Sequence, residues 1–479
     1  MRRVTYSITG NSVKSCTGFC RYCSAARQME YDMGTKYLSG ALESEANKAK
    51  VLKDLEEIDE KCYSEFIMDK AKLFEALDND KQIKPLLANK TAEKEGVTFH
   101  ADIWQADPLS ALTSLSEIVS ALEEYCKERG FKCSLSTSTN GIPFLRDEAC
   151  DFLQEHNMGI QLSHDGLGQW IRTNDFDPMN IPNARRLMKE GTLSAVNTTL
   201  NYWNSDIWAN LNYWNNHLKD IFDLKNPKDW QIYNQLYIKL NHIYDGQYDI
   251  KAKNVNGLFN GKSYDALKGV EIGNLNFRND RELAEKYGIR ELGTVLTDYL
   301  HGYKRLALLM NDPTINQINY IPFKKYIEGQ IARFSIIKSH EDGIGACRNF
   351  QRWKYDVGNM REKYGDKYSQ TFVIDTTGRY SECNLIDADS NVANPGGEQP
   401  DYCKGCKYEF AAECNICGSE KFASRCEYNY EWEVFLEEMQ WIHACIENNK
   451  KFEKEQLQKR VMNNLFGDSN NNKCNCKGK

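Results

Sequence analysis

Three cysteines stand at the spacing CxxxCxxC in CTGFCRYC, as Cys16, Cys20 and Cys23. Seven more crowd toward the far end, as Cys347, Cys383, Cys403, Cys406, Cys414, Cys417 and Cys426. Thiolates are soft ligands that select zinc or iron-sulfur clusters. A structural zinc wants four ligands, and the further Cys or His nearest to the trio in sequence are Cys62 and His100. A four-iron cluster takes one cysteine per iron, so a trio leaves one iron with an open position, which is what a catalytic metal needs. The second group contains two CxxC pairs seven residues apart in YCKGCKYEFAAECNICGSEKFASRC. That is tighter than the ~15 to 20 residues between the pairs of an ordinary zinc ribbon. On spacing alone, zinc and iron-sulfur both stay open for either group. Cys62, Cys126, Cys133, Cys150 and Cys445 are scattered and read as buried or incidental thiols, while Cys474 and Cys476 fall in the polar tail NNNKCNCKGK.

The rest of the composition narrows the setting. The N-terminal stretch MRRVTYSITGNSVK has no apolar run of the kind a signal peptide carries, and apolar stretches such as 306–310 fall far short of a bilayer span. A cytoplasmic location is therefore expected, with no membrane partner. In that reducing compartment, 17 cysteines argue for metal or redox chemistry rather than a disulfide framework. A net charge of −7 gives no basic footprint, so no nucleic-acid partner is indicated. With 41% hydrophobic and 27% charged residues over 479 positions, the chain reads as folded and long enough for two or three units. GLFNGKS at 257–263 resembles the end of a phosphate loop, but Asn256 stands where GxxxxGK[ST] requires glycine.

The elements must carry the first trio to a site. RVTYSIT alternates β-branched and aromatic residues, which predicts a strand over 3–9 leading into the cysteine loop. The interval 38–90 is charged and helical in pattern and reads as an insertion. Strands are then expected at 97–104, 132–136, 159–163, 194–200 and 231–240, alternating with helices at 109–128, 147–156, 181–189 and 205–218. Such alternation implies parallel strands with right-handed crossovers. Counting the first strand gives an α/β fold with about six units, a partial (β/α)6 TIM-like barrel rather than the eight of a closed one. Ligands of parallel sheets gather at the carboxyl ends of the strands, and CTGFCRYC begins a few residues past the first of those ends. Further helical patterns lie at 280–310, 432–448 and 452–464, and DTTG before RYSEC reads as a hairpin turn between two short strands.

A CxxxCxxC loop after the first strand of a partial barrel resembles the signature of radical S-adenosylmethionine enzymes. The resemblance implies a four-iron cluster on Cys16, Cys20 and Cys23 whose open iron is chelated by the amino and carboxylate groups of S-adenosylmethionine. It also implies reductive cleavage of the sulfonium to methionine and a 5′-deoxyadenosyl radical that abstracts a hydrogen atom. Tyr22, before the third cysteine, occupies the family's aromatic position near the adenine. Gln105, Ala106, Asp107 and Pro108 stand where the family has glycine, glycine, glutamate and proline, keeping an acid and the proline but neither glycine. Ser136, Thr139 and Asn140 in STSTNG follow the family's third strand, and Ser163, Asp165, Gly166 and Arg172 in LSHDGLGQWIR its fourth, with Arg172 for the methionine carboxylate. Asn201 or Asn204 is the candidate for the ribose.

The second group is similar to the SPASM extension of that family, whose seven cysteines hold two auxiliary four-iron clusters. Gly378 precedes Cys383 with four residues between them, as in that pattern. The gap from Cys347 to Gly378 is longer than usual, and the second pair is CxxC where CxxxC is usual. By analogy Cys403, Cys406, Cys414 and Cys426 would hold the outer cluster, and Cys347, Cys383 and Cys417 the inner one. The implied layout is a barrel at 1–330, a cysteine-rich SPASM-type iron-sulfur domain at 340–430, helices at 431–465 and a tail at 466–479. Three 4Fe-4S clusters, S-adenosylmethionine and an electron donor such as flavodoxin or ferredoxin follow from the resemblance. It also implies modification of a peptide or protein, either crosslinking in ribosomal peptides or oxidation of Cys or Ser as in sulfatase maturation. A small-molecule radical dehydrogenase or mutase is the alternative, and a non-catalytic electron-transfer or zinc-binding protein a third. No residue is singled out as a general base.

Overall fold

The computed structural model describes residues 2–10, 44–80, 82–104, 107–169, 176–200, 204–242 and 371–381, with single positions at 302, 322 and 444. Period-two alternation sets the strands. β1 (Arg3–Thr9) buries Val4, Tyr6 and Ile8, with Thr5, Ser7 and Thr9 between them. β2 (Thr98–Trp104) buries Phe99, Ala101 and Ile103 and leaves His100, Asp102 and Trp104 half-buried. β3 (Lys132–Thr139), β4 (Gly159–Ser163), β5 (Leu193–Leu200) and β6 (Tyr237–His242) continue the series, followed by β7 (Thr371–Asp375) and β8 (Tyr380–Ser381). The sheet runs β6-β5-β4-β3-β2-β1-β7-β8, and every pairing is parallel except β7 with β8.

Helices cover the apolar face. They are α1 (Glu45–Ser64), α2 (Lys70–Asn79), α3 (Lys84–Leu87), α4 (Thr91–Glu95), α5 (Leu112–Arg129), α6 (Asp147–Glu155), α7 (Pro182–Glu190), α8 (Ile207–Ile221) and α9 (Pro227–Tyr233). Local chemistry fixes their ends. Ser44 accepts from the Asn47 amide at the start of α1, and Asp206 from Trp208 at the start of α8. Gly130, at φ +72°, closes α5 by donating its N–H to the Cys126 carbonyl.

The interval read as an insertion forms much of the covering layer between β1 and β2. α1 buries Val51, Leu55, Ile58 and Cys62, and α2 buries Leu73, Phe74 and Leu77. Each such side chain stabilises the fold by about 1.5–3 kcal/mol. Polar ties add register: the Tyr6 hydroxyl donates to Asp80 at 2.6 Å, and the Asp59 carboxylate accepts from the Thr113 amide at 3.0 Å and pairs with Arg146 at 3.6 Å.

Two expectations change. The strand expected at 231–240 is helix α9 up to Tyr233, and β6 begins only at Tyr237. Asn226 caps this helix by accepting from the Lys228 amide, and Pro227 sits in its first turn, where a missing N–H costs nothing. The expected hairpin is present as β7 and β8, but β7 also joins the main sheet beside β1. Its turn docks on α2: the Asp69 amide donates to the Thr376 carbonyl at 2.9 Å and the Thr376 hydroxyl to the Ile67 carbonyl at 2.7 Å. Gly378 sits at φ +81°, and a Cβ there would lie 2.4 Å from the Lys72 carbonyl oxygen. Among the described residues, no helix is long and apolar enough to cross a membrane. Apart from 302 and 444, the helical patterns at 280–310, 432–448 and 452–464 and the tail at 466–479 lie outside the described residues.

Candidate functional site

The parallel strands send their connecting loops to one rim, and β1 is interior to the sheet, flanked by β2 and β7. Cys16 follows the end of β1 by seven residues in sequence. At the same rim Asp107, after β2, is 1% exposed. Its Oδ2 accepts from the Thr139 hydroxyl at 3.1 Å and the Asn140 amide at 2.9 Å, tying β2 to β3. Burial pushes its carboxyl up to about 7, although those donors pull the other way. Asn140 Oδ1 accepts from the Ile142 amide at 2.9 Å, which forms the turn that Gly141 completes at φ +87°.

Asp165 ties β4 to β5 in the same manner. It is fully buried, its Oδ1 accepts from the Thr199 amide at 2.9 Å, and its carbonyl accepts from Asn204 Nδ2 at 2.6 Å. Asn204 also donates to the Thr199 carbonyl at 3.0 Å, so its side chain fastens two loop ends. Ser163, the last residue of β4, is half-buried and level with Asn197 of β5. The structure thus brings Asp107, Asn140, Ser163 and Asp165 to one rim, while Ser136 lies lower, inside β3. Cys16, Cys20, Tyr22, Cys23, Gln105, Ala106, Arg172 and Asn201 lie outside the described residues, as do Cys347, Cys383, Cys403, Cys406, Cys414, Cys417 and Cys426. Among the described residues, no group of three or more His, Cys, Asp or Glu side chains could hold a metal ion.

Two groups escaped sequence reasoning. The first is His164, fully buried within SHDG. Its Nδ1 accepts from the Gly166 amide at 2.9 Å, so Nε2 carries the ring proton and donates to Asp177 Oδ1 at 2.9 Å. The Tyr213 hydroxyl donates to Asp177 Oδ2 at 2.8 Å. Burial alone would raise Asp177, but His164, Tyr213 and the Met179 amide outweigh it and hold the carboxyl well below the usual range. A histidine inside an otherwise polar turn, with an acid thirteen residues on, is too weak a pattern to read without the fold.

The second group lies on the face of the sheet opposite the helices. Ser136 donates its hydroxyl to Asp102 Oδ1 at 3.0 Å, and His100 Nε2 lies 3.3 Å from the same Oγ. Ser136 has one proton, so giving it to the carboxylate makes Oγ an acceptor and places the ring proton on Nε2. His100 Nδ1 then accepts from the Ser134 hydroxyl at 3.1 Å. Burial, with Arg3 adding, pushes His100 down to about 4. Burial raises Asp102, while Ser136 and Lys239 act against it. Lys239 belongs to β6, four strands from β2.

No protein-family model matches the chain, and no curated protein matches it either. Solved structures do align with it over nearly its whole length. "Native anSMEcpe with bound AdoMet" is similar at 12% identity and a TM-score of 0.41, over 92% of this chain and 100% of that one. "Native anSMEcpe with bound AdoMet and Cp18Cys peptide" is similar at 13% identity and a TM-score of 0.39, over 92% and 99%.

Proposed function

We propose that the chain is a radical S-adenosylmethionine enzyme that modifies a peptide or protein, with auxiliary iron-sulfur clusters bound by its C-terminal cysteines. The observation that carries this is positional. Three cysteines follow in sequence an interior strand of a parallel sheet, whose carboxyl end lies at the rim where Asp107, Asn140, Ser163 and Asp165 gather. A trio of thiolates suits a four-iron cluster with one open iron better than a closed zinc site, so the donor set fits the group. Cys16, Cys20 and Cys23 would hold that cluster, with S-adenosylmethionine at its open position and Tyr22 beside the adenine. The pair would supply a strong hydrogen-atom abstractor.

The chain's own residues have separate tasks. Asp107 and Asp165 fix the rim, each locking two neighbouring strand ends through backbone amides. A ligand bearing an amine, a carboxylate and a ribose needs both donors and acceptors, and strand-end loops held this rigidly present them without reorganisation. Gln105, Ala106, Ser136, Asn140, Ser163, Arg172 and Asn201 are the remaining candidates for contacts to S-adenosylmethionine. Cys403, Cys406, Cys414 and Cys426 would bind the outer auxiliary cluster and Cys347, Cys383 and Cys417 the inner one, with electrons supplied by a flavodoxin or ferredoxin.

Anaerobic reconstitution tests this. About twelve irons per chain are expected for three four-iron clusters. Release of 5′-deoxyadenosine from S-adenosylmethionine is expected too, and Cys20→Ala should abolish it. One or two zinc ions per chain and no cleavage would end the proposal.

A further inference from the structure

The strand register levels Ser7 of β1, Asp102 of β2, Ser136 of β3 and Gly159 of β4 in one row. Side chains at level positions of parallel strands share a face. In this row two hydroxyls flank a carboxylate, and the fourth place has no side chain. A Cβ at Gly159 would make ordinary van der Waals contact with the Leu135 carbonyl oxygen and Ser136 Cβ, both at 3.8 Å, so the row has room for a small side chain there and carries none. His100 lies two residues earlier on β2, Gln161 and Asn197 are half-buried on the neighbouring strands, and Lys239 bears on Asp102 from β6. Such a surface differs sharply from the opposite face, where Phe99, Ala101 and Ile103 are buried under helices.

We propose, resting on the function above, that this inner face seats the peptide substrate and that the Asp102 carboxylate accepts a proton from its reacting thiol or hydroxyl. The substrate X–H bond breaks, its electron pair stays on the heteroatom, and a carboxyl O–H bond forms, so the step needs no oxidant of its own. His100 and Ser136 are positioning residues. The directed chain from the Ser134 hydroxyl through His100 to Ser136 and on to Asp102 Oδ1 aims one carboxylate oxygen at the protein. Ser136 makes the sole hydrogen bond to Asp102 among the described residues, which separates this carboxylate from the doubly anchored Asp107. Ser7, Gln161 and Asn197 are of the type that pairs with peptide amides.

Among the described residues, Lys239 from β6 is the charged group that acts on Asp102; His100 stands two residues away on its own strand with Arg3 of β1 bearing on that ring, and level with Asp102 β1 and β3 offer Ser7 and Ser136, which do not titrate. Modification should therefore accelerate with rising pH as Asp102 ionises.

The test uses the reconstituted full-length chain with S-adenosylmethionine, dithionite and a synthetic pool of short peptides carrying Cys or Ser. The readout is the ratio of modified peptide to 5′-deoxyadenosine, which counts only loaded, folded enzyme. Asp102→Asn should lower that ratio by about 100-fold or more and remove the rise with pH, whereas Asp102→Glu should keep a pH-dependent rise. An unchanged ratio in Asp102→Asn, or a fall without any change in the pH profile, overturns the inference while leaving the radical chemistry intact. Wild-type enzyme that binds its iron but cleaves no S-adenosylmethionine fails the proposed function instead. Cleavage without modification of any peptide in the pool removes the peptide substrate and this inference with it.

Discussion

The rim and the inner face of the sheet are both polar, yet they are built differently. At the rim, Asp107 and Asp165 are buried and each gives one carboxylate oxygen to a backbone amide of the adjoining strand end. On the inner face, Asp102 and His100 are half-buried and are linked to each other through the Ser136 hydroxyl. A carboxylate bound to backbone amides holds the chain, because losing it leaves buried donors unpaired at about 1–3 kcal/mol each. A carboxylate bound to a hydroxyl can exchange that partner for water or substrate at little cost. The first arrangement sets a frame, and the second leaves groups able to react.

The two regions should respond to pH with opposite signs. Asp107 titrates near 7 in the fold against about 3.9 unfolded, so the folded state binds the proton more tightly between those values. Its contribution to stability is fully present below about pH 4 and falls by an amount of the order of 4 kcal/mol as pH rises to about 7. The stability of the wild type minus that of Asp107→Asn, from urea melts, should decline across that window. A flat difference would show that the rim carboxyl is not held in a buried frame.

Next in size is Gly166→Ala. Gly166 sits at φ +58° and a Cβ there would lie 2.2 Å from Asn210 Oδ1, which accepts from the Leu167 amide. The left-handed backbone costs about 1–2 kcal/mol for alanine, and displacing Asn210 adds to it, so about 3 kcal/mol is expected. A loss under about 1 kcal/mol in a urea melt would mean that the turn after β4 is less rigid than the rest of the rim.

His100 supplies the opposite slope. It titrates near 4 in the fold and near 6.5 unfolded, so the unfolded chain binds more protons between those values. Stability from this site should rise with pH from about 4 to about 6.5, by about 3 kcal/mol. The wild type minus His100→Gln difference should therefore climb where the Asp107 difference falls. Two slopes of the same sign would break the contrast between frame and reactive face.

Much of the frame was legible in the sequence because it obeys local rules. The 159–163 segment is the strand Gly159–Ser163, and the alternation of strands and helices forecast the parallel order of β1 to β6. What escaped depends on partners distant in sequence. The interval 38–90 reads as an insertion from its charged helical pattern, and the burial of Val51, Leu55 and Leu73 depends on packing that no local rule announces. β7 is 368 residues from β1 by their first positions, and nothing local announces that Thr371 pairs with Thr5. The inner-face group was illegible for the same reason. His100 and Asp102 sit in an ordinary alternating strand, and only the register with β3 puts Ser134 and Ser136 beside them.

The smallest effects distinguish the two kinds of hydroxyl. Thr139 at the rim donates to Asp107 at 3.1 Å and accepts from the Gly141 amide at 3.1 Å, and it is 2% exposed. Thr139→Val keeps the shape but strands the Gly141 amide, at about 1–2 kcal/mol, and it should carry the Asp107 decline on to higher pH by removing a donor to the charged form. Ser134 on the inner face is half-buried and bonds His100 Nδ1 at 3.1 Å. Water can take its place after Ser134→Ala, so about 0.5 kcal/mol is expected. Equal losses for the two variants would mean that the inner face is as tightly packed as the rim. A small loss at Ser134 alone means that its groups are held loosely enough to change partners, as proton transfer to Asp102 requires.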